Sequence, residues 1–179
     1  EMLRSLVGSE MCIRDRTNMD KLVQLAKDSI KYYEENKTYL KDYDEEFKKN
    51  NNGAIIVVSQ EDRIETSGSI YPTRSDIGLD VIYEAVNATI FNNGVDLVNY
   101  GIDDLYIMVY EVVKVQQIQY MEEFGMYHGL VVKYNNEDTM VFRNDYESDY
   151  QMFEDALDKA NVDSQDVFSL YKFKVVKHI

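Results

Sequence analysis

Residues 63–90 read RIETSGSIYPTRSDIGLDVIYEAVNATI. A strand pattern, the chain's one proline and an amphipathic helix follow one another in this run. Arg63 to Ser69 has strand character and returns from a turn at Glu61-Asp62. Before that turn, Ala54 to Val58 is a continuous apolar, mostly β-branched run, which predicts a strand covered on both faces. After Pro72, Thr73 or Ser75 is placed to cap a helix, with Asp76 near its positive end. Ile77, Val81, Ile82, Ala85, Val86 and Ile90 form the buried stripe of that helix, and Asn92-Asn93-Gly94 ends it.

The rest of the chain adds alternating helices and strands. Residues 20–35 carry Leu22, Leu25, Ala26, Ser29, Ile30 and Tyr33 on one helical face. Residues 37–52 are a polar connector. Leu105 to Val113 alternates two apolar sets and reads as a central strand. Residues 130–134 and 139–142 flank Asn135-Asn136-Glu137-Asp138 as a hairpin. Ser148 with Gln151 forms a capping box before a helix striped by Met152, Phe153, Ala156, Leu157 and Ala160. Residues 167–176 close the pattern, with Tyr171, Phe173 and Val175 inward and Lys172 and Lys174 outward. Two links are short strand-to-strand turns, so the expected class is α+β, a mostly antiparallel sheet with flanking helices.

The first sixteen residues stand apart. Residues 6–15, LVGSEMCIRD, read as the translation of a transposase-type sequencing adapter and are taken as non-native. The natural domain is then expected over 17–179, one domain by size. Cys12, the single cysteine, falls in that segment. A domain without cysteine has neither disulfide nor thiolate metal site nor cysteine nucleophile.

The net charge of −14 argues against a nucleic-acid surface, because phosphate binding depends on Lys and Arg. No segment approaches the ~20 apolar residues of a membrane span. A cytoplasmic protein without membrane attachment is expected. A composition rich in Asn, Ile, Tyr, Lys and Asp, without Trp, suits an AT-rich bacterial genome.

Several segments, in order and spacing, resemble the AMMECR domain family, which includes protein A of the AmmeMemoRadiSam gene systems. Leu22 to Ile30 is similar to the family's opening helix and Gly53 to Val58 to its first strand. Gly68-Ser-Ile-Tyr-Pro-Thr73 resembles its Gly-Thr-Ile-Glu-Pro-Thr element. Ile102 to Val109 resembles its Leu-Asp-Asp-Leu strand. Gly129 to Val132, Ala156 to Val162 and Leu170 to Val175 resemble its later elements. Two family motifs are missing. Ile64-Glu-Thr-Ser-Gly68 stands where the family carries Leu-Arg-Gly-Cys-Ile-Gly, with Ser67 nearest the Cys. Phe91 to Leu97 keeps nothing of Asp-Pro-Arg-Phe-Pro-Pro. The resemblance implies a two-lobed single domain with a cleft and supplies no reaction.

The candidate ligand site is Thr66, Ser67, Gly68, Ser69, Thr73 and Arg74. Hydroxyls at a strand end and a helix start, beside a guanidinium, suit a small anion. A capped helix with a surface arginine is the plainer alternative. The catalytic candidates are Ser67 and His128, one of only two histidines. Two distant histidines offer no metal spacing, and no cofactor is implied. Three functions follow. The first is an accessory module binding a small anion or a protein partner from its gene system. The second is an enzyme acting on a nucleotide or modified RNA base. The third is a diverged paralogue with a structural or oligomerisation role.

Overall fold

A computed structural model of the chain describes residues 19–92 and 95–179. The adapter-like stretch with Cys12, and Asn93-Gly94 at the expected helix end, lie outside them. Six strands, β1 (Gly53–Gln60), β2 (Arg63–Gly68), β3 (Tyr106–Ile118), β4 (Gly129–Tyr134), β5 (Glu137–Phe142) and β6 (Ser169–His178), form one sheet in the order β2-β1-β3-β6-β4-β5. The α-helices are α1 (Lys21–Asn36), α2 (Glu45–Lys48), α3 (Ile77–Val86) and α4 (Asp149–Lys159). The class is α+β with an antiparallel sheet, as the short hairpin links require. The chain divides into two compact units, one running through Glu111 and resuming at Lys177–Ile179, the other Val112–Val176.

In the first unit β1 and β2 pair antiparallel from Ile55 opposite Gly68 to Gln60 opposite Arg63, around the Glu61-Asp62 turn. Seven of the eight β1 residues are buried, so this strand is covered on both faces as its unbroken apolar run predicts. Ala54, Ile56 and Val58 meet Leu22, Leu25, Ala26 and Ile30 of α1 and Ile77, Val81, Ile82 and Ala85 of α3 in one core. Helix α1 begins on the Asp20 side chain, which accepts the Leu22 amide, and ends where Lys37 turns left-handed at φ 57°.

Helix α3 departs from expectation at both ends. Its cap is Asp76, whose carboxylate accepts the Leu79 amide at 3.0 Å, and not Thr73 or Ser75. Tyr43 and Ser75 hydroxyls also donate to this carboxylate, which is why it is buried rather than solvated. At the other end the helix widens into a π-turn over Asn87–Phe91.

In the second unit β4 pairs antiparallel with both β5 and β6. The β4/β5 turn is tighter than expected, with Asn135 and Asn136 alone at φ 51° and 62°. Helix α4 is capped by Ser148, whose hydroxyl accepts the Gln151 amide, and packs Met152 and Ala156 on Phe124, Leu130, Val132 and Leu170. Two strand readings are corrected. Strand β3 continues to Ile118, because backbone pairing carries it past the point where side-chain alternation fades. Lys172 does not point into water; its side chain is drawn over the Tyr127 ring and is only 7% exposed.

Candidate functional site

The residues singled out at 66–74 lie where β2 ends and the chain turns into α3. Gly68 has φ 136°, a conformation L side chains rarely adopt, and a Cβ there would sit 2.1 Å from the Ala54 carbonyl oxygen. This close approach seats the end of β2 directly against the backbone of β1. Ser69 is spent locally, its hydroxyl accepting the Tyr71 amide and its own amide donating to Ala54. Thr66 is exposed on the sheet's terminal strand.

Ser67, Thr73 and Arg74 are drawn together by two carboxylates that the sequence pattern did not single out. Asp80 accepts the Thr73 amide at 3.1 Å, the Thr73 hydroxyl at 2.7 Å and Arg74 Nη1 at 3.2 Å. Glu84, one turn further along α3, accepts Arg74 Nη1 at 3.0 Å and the Ser67 hydroxyl. Asp80 is 2% exposed and Arg74 26%, so the ion pair is screened far less than a surface pair. The guanidinium carbon lies 4.2 Å from the Tyr83 ring centre. Tyr83 in turn stacks on Tyr39 at 3.8 Å and 16°. Tyr33 and Phe91 continue the aromatic run at 5.1 and 5.5 Å steps. Burial is the first cause that pushes the Tyr39 phenol above its ordinary pKa, with Tyr33 next.

The network is therefore one guanidinium against two carboxylates, with hydroxyls filling the remaining lone pairs. An anion reaching Arg74 would enter in exchange for Glu84, and the start of α3 already holds the Asp76 carboxylate. Asp80 and Glu84 are four apart and share one face of α3, but nothing in the spacing tied Arg74, which precedes the helix, to them.

His128, in the second unit, is tied to strand backbone. Its amide donates to the Phe173 carbonyl at 2.9 Å and its Nδ1 accepts the Val175 amide at 3.1 Å. An accepting Nδ1 leaves the proton on Nε2. Ser67 thus bonds Glu84 of the first unit, and His128 bonds the backbone of Phe173 and Val175 in the second.

The other histidine has the richer surroundings. His178 Nδ1 lies 2.8 Å from Asp20 Oδ2, and its Nε2 lies 3.0 Å from Glu111 Oε1. The Asn50 and Asn52 amides each donate to Glu111 Oε2 at 2.7 Å. Only a doubly protonated ring donates to both carboxylates at once. Burial pulls the His178 pKa down, but the bonds to Asp20 and Glu111 outweigh it and the net direction is up. Burial likewise pushes Glu111 up, and the Asn50, Asn52 and His178 bonds reverse this to a net lowering. The cluster borders a pocket of about 290 Å³ that also meets Lys21, Glu46 and Phe47. Sequence spacing gave no signal, because Asp20 and His178 are 158 residues apart. Among the described residues no group of three or more His, Cys, Asp or Glu is placed to hold a metal ion. No helix among them is long and apolar enough to cross a membrane.

No protein-family model matches the chain, and no curated protein matches it. A solved structure does. The uncharacterized protein PH0010 from Pyrococcus horikoshii superposes with a TM-score of 0.66 at 17% identity, over 87% of this chain and 88% of that one. That likeness shows a shared fold.

Proposed function

We propose that the chain is a diverged bacterial, cytoplasmic member of the AMMECR domain family, working as an accessory module that recognises a protein partner from its own gene system. The recognition surface is assigned to Thr66, Ser67, Gly68, Ser69, Thr73 and Arg74, extended by Tyr83 and Glu84 of α3. One observation carries this reading: Arg74 lies over Tyr83 in a fixed orientation, held by Asp80 and Glu84. Arg and Tyr dominate interface hot spots, and a side chain ordered before binding loses little entropy on contact. A protein partner is favoured over a small anion because the Arg74 charge is already matched twice. The order and spacing of the family-like segments support the family reading, and the fold shared with PH0010 supports the α+β architecture alone.

The test is calorimetry of the purified protein against the purified products of the neighbouring genes. Ser67→Ala and Arg74→Lys are expected to weaken complex formation at least tenfold, roughly the loss from one charge-assisted contact. Binding that survives both variants unchanged would move the surface elsewhere. Glu84→Gln separates the anion reading from the partner reading. Removal of the competing carboxylate should strengthen anion binding at Arg74 if an anion is the ligand there.

A further inference from the structure

A cluster of lysines lies far from Arg74 in sequence. Tyr127 is buried, and its hydroxyl donates to Gln116 Oε1 at 3.2 Å. Three lysine ammoniums surround its ring. Lys172 Nζ lies 4.0 Å from the ring centre, Lys174 Nζ 5.0 Å and Lys114 Nζ 5.7 Å. Lys172 and Lys174 are two apart on β6, so both stand on one face of the sheet. Lys114 comes from β3, the neighbouring strand.

None of the three has a carboxylate within ion-pair distance among the described residues, although the chain holds 33 Asp and Glu against 19 Lys and Arg. Lys172 is 7% exposed, and its one hydrogen bond goes to a backbone oxygen, that of Glu123. The Glu123 carboxylate is turned to the amides of Tyr120 and Gln119, at 3.0 and 2.7 Å, and feels the Lys172 charge only from beyond ion-pair distance. Clustered like charges repel, and the face of an aromatic ring offsets that repulsion only in part. An incoming anion with two or more charges removes it. Ammoniums on flexible stems suit a tetrahedral oxyanion, since each brings three donors with no planar demand.

We propose that Lys114, Lys174 and the underlying Lys172 form a binding site for phosphate-type anions, with Tyr127 as the platform that gathers the three ammoniums. The site is independent of the surface assigned around Arg74. The shared chemistry is the phosphate group, and its source is a free inorganic phosphate or the phosphates of a nucleotide. Lys172 acts from beneath, adding positive potential, while Lys114 and Lys174 supply the contacts.

The experiment is a titration of the whole protein with pyrophosphate, and separately with ADP, followed by amide chemical shifts at low ionic strength. Saturable shifts centred on Lys114, Tyr127 and Lys174 are expected. Lys114→Gln/Lys174→Gln should weaken binding at least about tenfold. Lys31→Gln/Lys41→Gln removes the same charge from exposed positions and should change affinity less than about twofold. Tighter binding of ADP would assign the phosphate to a nucleotide, and equal binding would assign it to the phosphate group alone. Arg74→Lys should leave these shifts intact, so failure here and failure of the partner surface are distinguishable. Absence of saturable binding by both probes would overturn the site, as would equal weakening by the two double variants.

Discussion

Gly68 is the residue on which the local geometry of the β2–α3 corner turns. Its φ is 136°, and a Cβ added there would lie 2.1 Å from the Ala54 oxygen, which leaves no room for a side chain. Gly68→Ala should lose more than about 2 kcal/mol of stability. A urea midpoint that falls at constant slope would show it, and an unchanged midpoint would refute the strain argument. Arg74 has a comparable stake. Its removal leaves Asp80, 2% exposed, without its cation. Arg74→Ala should therefore cost about 3 kcal/mol, the usual scale for breaking a buried pair, whereas Arg74→Lys keeps a charge and should cost less. Ser67, Thr73 and Arg74 were legible as one polar group because they are close in sequence. Asp80 and Glu84 were not, because an acidic residue on a helix reads as solvated until the preceding loop is known to cover it.

Among the elements, α3 shows how a cap is chosen by partners rather than by residue type. Thr73, Ser75 and Asp76 all suit the position. Asp76 takes it because Tyr43 and Ser75 satisfy its remaining lone pairs. Burial, followed by the bond to Asp76, pushes the Tyr43 phenol up to about 12. Asp76→Ala should destabilise the protein by about 2 kcal/mol through loss of the cap. The same change should bring the Tyr43 titration back toward the ordinary phenol range, read from its ring resonances. Gly78 fits the same arrangement, since a Cβ there would lie 2.5 Å from the Tyr43 ring. Strand β6 teaches the reverse lesson. Its alternation predicts Lys172 outward, yet the long stem bends over Tyr127 and the residue is buried.

For the molecule as a whole, His178 ties the end of the described chain to Asp20 at the start of α1 and to Glu111 on β3. A folded-state pKa raised above the unfolded value gives a definite sign. The stabilisation is fully present below about pH 6.5, the unfolded His value, and is lost as pH rises through the higher folded value. Glu111 works oppositely, its lowered pKa giving stability above the usual Glu range that is lost in acid. Denaturation midpoints should therefore fall for the native chain between neutral and mildly alkaline pH. His178→Gln should start lower and decline less over that interval. Parallel curves for the two proteins would mean that the ring is not charged in this cluster.

Periodicity and turn chemistry by themselves determined the α+β class, nearly all the strands and helices, and the presence of hairpins at Glu61-Asp62 and within Asn135 to Asp138. These are local properties, set by which side chains a 3.6- or 2-residue repeat places together. Tertiary structure alone decided the three polar clusters: Arg74 with Asp80 and Glu84, His178 with Asp20 and Glu111, and the lysines around Tyr127. Each joins residues from different elements, or from a loop and the helix it covers. Charge–charge and hydrogen-bond energies depend on distance and desolvation, and neither exists until the sheet has brought those elements into place.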